Sequence, residues 1–239
     1  MSNSRRTGRF TPTVLAALAC AGLAAGANLS AQEQAQSARE AAPMDLAGYW
    51  VSVVTEDWRW RMVVPPRGDY ASVPLNEEGR RVADSWDPEQ DAGNCLAYGA
   101  AGLMRMPMRF RVEWDDDATL RIETDAGAQT RLLHFAASDP GGSAPTLQGH
   151  SVAEWDGDAL RVVTTGLAPG YLRTNGVPYS ENTVLTEFFN RHSAFGDEWL
   201  TILTEVDDPQ YLTEEFVTST SFKRLEDGSS WRPELCEPA

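Results

Sequence analysis

The sequence predicts an all-β domain, an antiparallel up-and-down β-barrel with one short helix. From residue 46 onward the apolar side chains recur with a period of two, which is typical of strands that bury one face. About nine such segments follow one another through short connections, the spacing expected of an all-β domain. Closing a long meander into a barrel leaves no strand edge exposed, so a barrel is favoured and a β-sandwich is the alternative.

The strands can be placed in order along the chain. Segment 50–64 puts large apolar residues on one face, with Arg59 and Arg61 on the other. Segment 104–114 repeats this pattern before three consecutive aspartates turn the chain. Further strands are expected at 120–124, 129–135, 149–155, 160–165, 183–191, 199–206 and 215–223. Tight turns rich in Asp and Gly separate several of them, as hairpins require.

One segment departs from the strand pattern. Apolar and small residues recur at helical spacing over 75–86, so the sequence predicts a helix there. Asn76 is placed to cap its first turn, and Pro88 follows its end. Segments 88–102 and 137–147 are rich in Gly with Ala, Pro or Ser, and irregular loops are expected at both.

Length and the N-terminal composition predict one exported domain. The 239 residues, 42% of them hydrophobic, are enough for a single well-filled core. Residues 1–31 combine a basic start with a short apolar run and small residues, which predicts a cleaved signal peptide. Residues 32–45 are expected to be a flexible lead-in, and 46–239 the barrel. A periplasmic or secreted location follows.

The net charge of the chain limits which classes of partner are expected. Twenty basic residues stand against 35 acidic ones, a formal charge of −15. Such a chain repels phosphate, so neither nucleic acid nor an anionic membrane face is an expected partner. Beyond residue 30 no apolar run is long enough to cross a bilayer, so stable membrane insertion is not expected. A small hydrophobic or aromatic molecule is the predicted partner, and the oligomeric state is left open.

The cysteines predict one disulfide and no metal centre. Removing the signal peptide removes Cys20 and leaves Cys95 and Cys236, which are expected to bond in an oxidising compartment, with two free thiols as the alternative. The three histidines lack the spacing of local metal ligands, so no metal is predicted. No Gly-rich loop is placed to cradle a phosphate, so no cofactor is predicted.

Short motifs resemble two groups of proteins. Gly48-Tyr49-Trp50 resembles the G-x-W of lipocalin-like barrels, in which the Trp plugs the closed end. The stretches QGHSVAEWDG (148–157), NGVPYSE (175–181) and DDPQYL (207–212), together with Thr186-Glu187, resemble a large group of exported bacterial proteins over residues 46–225. This resemblance implies an exported, β-rich, single-domain protein of lipocalin-like type and implies no particular activity.

Five residues are candidates for acid–base chemistry. His134 and His150 lie on neighbouring predicted strands, and an imidazole in an apolar pocket is an effective acid or base near neutral pH. Glu187 would have a raised pKa if it faced inward. Tyr171 and Tyr179 lie in a segment expected to form a lid over the barrel mouth and would orient a substrate. For each residue a structural or outward-facing role is the alternative.

Five more residues are predicted to contact substrate: Arg131, Arg173, Asn175, Glu154 and Trp60. A buried Arg131 would need a carboxylate or an anionic ligand. The predicted function is a cofactor-free barrel enzyme that acts on a small, largely apolar organic molecule by acid–base chemistry of isomerase, cyclase, hydratase or lyase type. The alternatives are a non-catalytic carrier with the same barrel and a structural protein with a filled interior.

Overall fold

A computed structural model describes residues 36–89, 94–135 and 144–236, and the predicted signal peptide lies outside them. The helical elements are α1 (Trp58–Arg61), α2 (Glu77–Asp84), a 3-10 turn (Leu96–Tyr98) and α3 (Ala100–Leu103). The strands are β1 (Gly48–Val53), β2 (Arg109–Asp116), β3 (Thr119–Thr124), β4 (Ala126–Gly127), β5 (Thr130–His134), β6 (His150–Asp156), β7 (Ala159–Thr165), β8 (Gly170–Arg173), β9 (Val177–Tyr179), β10 (Val184–Ala194), β11 (Asp197–Asp207), β12 (Phe216–Leu225) and β13 (Glu234–Leu235).

Nine strands close into a barrel, which confirms the predicted fold class. Their order is β1-β12-β11-β10-β7-β6-β5-β3-β2, and β2 pairs with β1 to complete the ring. Eight of the nine neighbouring pairs are antiparallel, and β5 and β6 run parallel. A ring with an odd number of strands cannot alternate in direction throughout, so the expected all-antiparallel order fails at one pair.

The barrel interior has two apolar clusters with polar side chains between them. The first cluster includes Trp50, Phe110 and Phe222. The second packs the opposite ends of the strands against α2, α3 and the β8–β9 hairpin. Because alternate residues of a strand face the same way, β7, β10 and β11 pass from one cluster to the other through inward-facing polar residues. These are Thr164, Glu187 and Thr204, all buried.

Two predicted strands are shorter than expected. After β1 the chain leaves the barrel, and residues 58–61 form α1 instead of continuing the strand. Trp58 and Met62 are 65% and 55% exposed, so the apolar side chains of this segment do not serve the barrel core. Similarly, Met104 and Met106 follow α3, and the strand begins only at Arg109. A few residues of alternating pattern fit one helical turn as well as a strand, which explains the error at α1.

The helix expected at 75–86 is confirmed as α2. The side chain of Asn76 accepts a hydrogen bond from the backbone N–H of Gly79 at 2.8 Å, the N-cap geometry that the sequence predicted. No helix among the described residues is long and apolar enough to cross a membrane.

The chain termini of the described region contact the barrel. Within the expected flexible lead-in, Ala38 accepts a hydrogen bond from the indole of Trp155 at 2.9 Å. At the other end β13 pairs in parallel with β4. The predicted disulfide is present between Cys95 and Cys236, which lie 141 residues apart. The loop expected at 137–147 lies mostly outside the described residues.

Candidate functional site

Two adjoining cavities lie beside the β8–β9 hairpin. The smaller, called here the basic pocket, has a volume of about 30 Å³. It is lined by Trp60, Arg61, Gly102, Arg105, Met106, Leu172 and Arg173. The larger, called the aromatic cleft, has a volume of about 320 Å³. It is lined by Val64, Trp86, Pro88, Tyr98, Tyr171 and both cysteines of the disulfide. Ala97 and Thr174 line both cavities, so one opens beside the other.

Three separate segments bring the arginines of the basic pocket together. Arg61 ends α1, Arg105 follows α3, and Arg173 ends β8. Asp57 begins α1 in a left-handed conformation with φ of 50°, and its carboxylate accepts a hydrogen bond from Arg105 at 2.8 Å. Gly102 allows α3 to approach β8, because a Cβ there would lie 2.5 Å from the backbone oxygen of Tyr171. The sequence alone does not reveal this cluster, because its three arginines lie far apart along the chain.

Two of these arginines have hydrogen-bond acceptors among the described residues, and the third has none there. Arg61 donates to the backbone oxygen of Arg105 at 2.7 Å and to the carboxylate of Glu56. Arg105 pairs with Asp57. In contrast, Nε and both terminal nitrogens of Arg173 are buried with no hydrogen-bond partner among the described residues. Only 4% of Arg173 is exposed, so bulk water does not solvate the charge either.

Aromatic rings supply the nearest favourable contacts of Arg173. Its Cζ lies 4.9 Å from the ring centroid of Trp60 and 5.9 Å from that of Phe216. Such cation–π contacts attract the guanidinium but do not satisfy its N–H groups. The pKa of Arg173 is lowered to about 10, first by burial and then by the charge of Arg105, while Asp57 and Asp69 oppose this shift. Arg173 is therefore still charged at neutral pH.

The buried polar residues inside the barrel form a separate group in which Arg131 is paired with a carboxylate, although Nε of Arg131 and the hydroxyl of Thr204 have no hydrogen-bond partner among the described residues. Glu187 faces inward, and its Oε2 accepts a hydrogen bond from Nη2 of Arg131 at 2.6 Å. Arg131 also donates to Thr164 at 3.4 Å, and the Thr164 hydroxyl is 2.7 Å from that of Ser151. Arg131 is 1% exposed and Glu187 is fully buried. The carboxylate that a buried Arg131 was expected to require is thus supplied by the protein.

No family model, curated protein or solved structure matches the chain.

The two histidines lie on the outer face of the barrel and not inside it. His134 and His150 stack with their ring centroids 5.2 Å apart and line one outer cleft of about 480 Å³ with Gln129 and Gln148. Burial, and then the neighbouring His150, lower the pKa of His134, while Asp116 opposes this shift. The structure thus brings the histidines together as the sequence predicted, but away from Glu187.

The remaining predicted residues fall in different places. Glu154 is exposed and pairs with Arg161 on the outer surface. Asn175 is fully buried, and its amide donates to the backbone oxygens of Pro66 and Asp69, so it holds the hairpin turn in place. Tyr179 is fully buried in the second apolar cluster, and burial raises its pKa.

The segment expected to be a lid is instead the β8–β9 hairpin, which packs into the end of the barrel. Of the residues predicted there and on the first strand, Tyr171 lines the aromatic cleft, and Trp60 and Arg173 line the basic pocket. Arg61, Arg105, Trp86 and Tyr98 were not singled out as site residues. Among them Arg61 was assigned to the outer face of a strand that does not form.

Proposed function

We propose that this protein binds a small, largely apolar organic molecule as a non-catalytic receptor or carrier. The aromatic cleft carries this proposal. Its volume of about 320 Å³ reaches the lower end of the range of roughly 300–1,000 Å³ typical of small-molecule sites. Aromatic and aliphatic side chains dominate its lining, and it adjoins the basic pocket at Ala97 and Thr174. This combination suits a flat organic ligand with one polar end.

The barrel interior is a poorer candidate for the ligand. Two packed clusters occupy it, and the layer between them contains the paired Arg131 and Glu187. A ligand there would have to displace buried apolar side chains or separate a buried ion pair, and both are costly. We therefore place the ligand at the covered end of the barrel. The predicted signal peptide supports a periplasmic or secreted carrier.

Acid–base catalysis is the second candidate, and one observation favours it. His134 and His150 share the outer cleft, and the lowered pKa of His134 favours a neutral imidazole that can accept a proton at neutral pH. Neither histidine lines the aromatic cleft, however. The two candidates therefore require different residues and can be separated by mutation.

Titration with the neutral fluorescent dye N-phenylnaphthylamine tests the binding proposal. We expect saturable enhancement of dye fluorescence by the native protein, and about three- to tenfold weaker binding by Tyr171→Ala, the loss typical of one aromatic contact. Phe195→Ala is the matched control, because Phe195 is an aromatic residue that is 97% exposed at the β10–β11 turn.

The double variant His134→Gln/His150→Gln completes the design. The binding proposal predicts that it retains the native affinity for the dye. Equal affinities of the native protein and Tyr171→Ala, with loss of binding in the double histidine variant, would contradict the proposal and favour the outer cleft. Circular dichroism of each variant checks that the barrel is intact.

A further inference from the structure

The charges around the basic pocket do not balance. Three arginines line the basic pocket and a fourth, Arg59, lies against Trp60, while the three carboxylates next to them are each paired with one arginine. These pairs are Arg61–Glu56, Arg105–Asp57 and Arg59–Asp69. Arg173 is the guanidinium without a paired carboxylate among the described residues, and it is buried.

Burying a cation without a paired anion costs free energy. Proteins normally pair such a charge, because neither an apolar wall nor an aromatic ring replaces the hydrogen bonds that water would give it. An arginine cannot escape the cost by losing its proton at neutral pH. Arg131, at similar burial, shows the usual solution, since Glu187 lies against it. Arg173 has similar burial but no hydrogen-bonding carboxylate among the described residues, so a bound anion would supply the acceptor that it lacks there.

From this we infer that the ligand carries a carboxylate or another small singly charged oxyanion, which Arg173 binds in the basic pocket while the apolar body occupies the aromatic cleft. This inference rests on the proposed function and specifies its ligand class. Arg105 and Arg61 contribute further donors, because Nη1 of Arg105 and Nη2 of Arg61 are also buried and unpartnered. A fork of guanidinium N–H groups matches the two oxygens of a carboxylate.

The size of the pocket sets which part of the ligand enters. Its volume of about 30 Å³ exceeds the ~10–15 Å³ of such space that one water molecule needs, so it admits a small head group and no complete organic ligand. The remainder of the ligand has to extend past Ala97 and Thr174, which line both cavities. The single unmatched charge favours a monoanion over a phosphate dianion.

Paired ligands test this inference. Naphthoate and naphthamide share one apolar body and differ in the charge of the head group, and isothermal titration calorimetry measures both affinities. We expect the native protein to bind naphthoate about ten- to a hundredfold more tightly, as charge-assisted hydrogen bonds to a buried arginine imply. Arg173→Gln should remove this preference without weakening naphthamide. Arg161→Gln is the control, since it removes the same charge from the outer face of β7.

The outcomes separate the inference from the proposed function. Equal binding of the two compounds by the native protein overturns the anion inference and leaves the proposed function intact. Binding of neither compound overturns the proposed function itself. If Arg173→Gln does not fold, thermal unfolding of the native protein tests the inference instead. Benzoate should raise the Tm of the native protein, and benzamide should not. Equal shifts with the two compounds would contradict the inference.

Discussion

Replacing Arg131 with Met is expected to lower the free energy of unfolding by about 3–5 kcal/mol, because it leaves a buried carboxylate without its partner. Glu187 is fully buried between two apolar clusters, and Arg131 donates two hydrogen bonds to it, at 2.6 and 3.3 Å. Among the described residues, the other hydrogen-bond partner of Arg131 is the hydroxyl of Thr164, which carries no charge. Chemical denaturation monitored by tryptophan fluorescence measures the loss.

Two further variants serve as controls for this result. The double variant Arg131→Met/Glu187→Leu should recover most of the lost stability, since apolar residues often replace a buried ion pair at little cost. Arg161→Met should cost no more than about 1 kcal/mol, because its pair with Glu154 is exposed. If Arg131→Met and Arg161→Met unfold at the same denaturant concentration, the buried pair does not stabilise the barrel as described.

Removing the Cys95–Cys236 disulfide is expected to lower the free energy of unfolding by a similar or larger amount. The bond joins residues 141 apart, and in the chain-entropy model closing so long a loop stabilises by about 5 kcal/mol. The bond also ties β13 to the body of the protein, where it pairs with β4 through two residues only. Denaturation of the double variant Cys95→Ser/Cys236→Ser against the native protein measures the effect.

The disulfide also forms part of the aromatic cleft. Both cysteines line it, so the double serine variant should bind N-phenylnaphthylamine more weakly even where it remains folded. Dithiothreitol provides an independent check on the native protein, with mass spectrometry to confirm that both thiols are reduced. An unchanged unfolding midpoint after complete reduction would contradict the stabilising role.

The fold was largely predictable because a barrel strand buries one face and therefore repeats every second residue. That rule located all nine barrel strands, including β10 and β11, whose inward residues are Leu, Phe, Ile and Val with single polar interruptions. It failed at two strand ends, because residues 58–61 form α1 and the second strand begins only at Arg109. A one-residue change of register exchanges the faces of a strand, so the sequence could not decide that His134 and His150 face outward.

The site was predictable only in part, since its partners come from distant segments. The sequence indicated that a buried Arg131 needs a carboxylate, but Glu187 lies 56 residues away and only the barrel brings them together. Trp60 and Arg173 were predicted to contact the ligand, and both line the basic pocket. Which arginine lacks a carboxylate depends on the pairing of Arg105 with Asp57, a contact between residues 48 apart that only the folded chain reveals.

The most direct test of the proposed site is an NMR titration with naphthoate that follows the indole N–H signals of the tryptophans. Trp60 lines the basic pocket and Trp86 lines the aromatic cleft. Trp50, Trp155 and Trp199 donate their indole N–H groups to backbone oxygens outside both cavities and act as internal references. The proposed site predicts saturable shifts for Trp60 and Trp86 with the three references unchanged. Shifts of the references alone, or no shift at either cavity tryptophan, would contradict it.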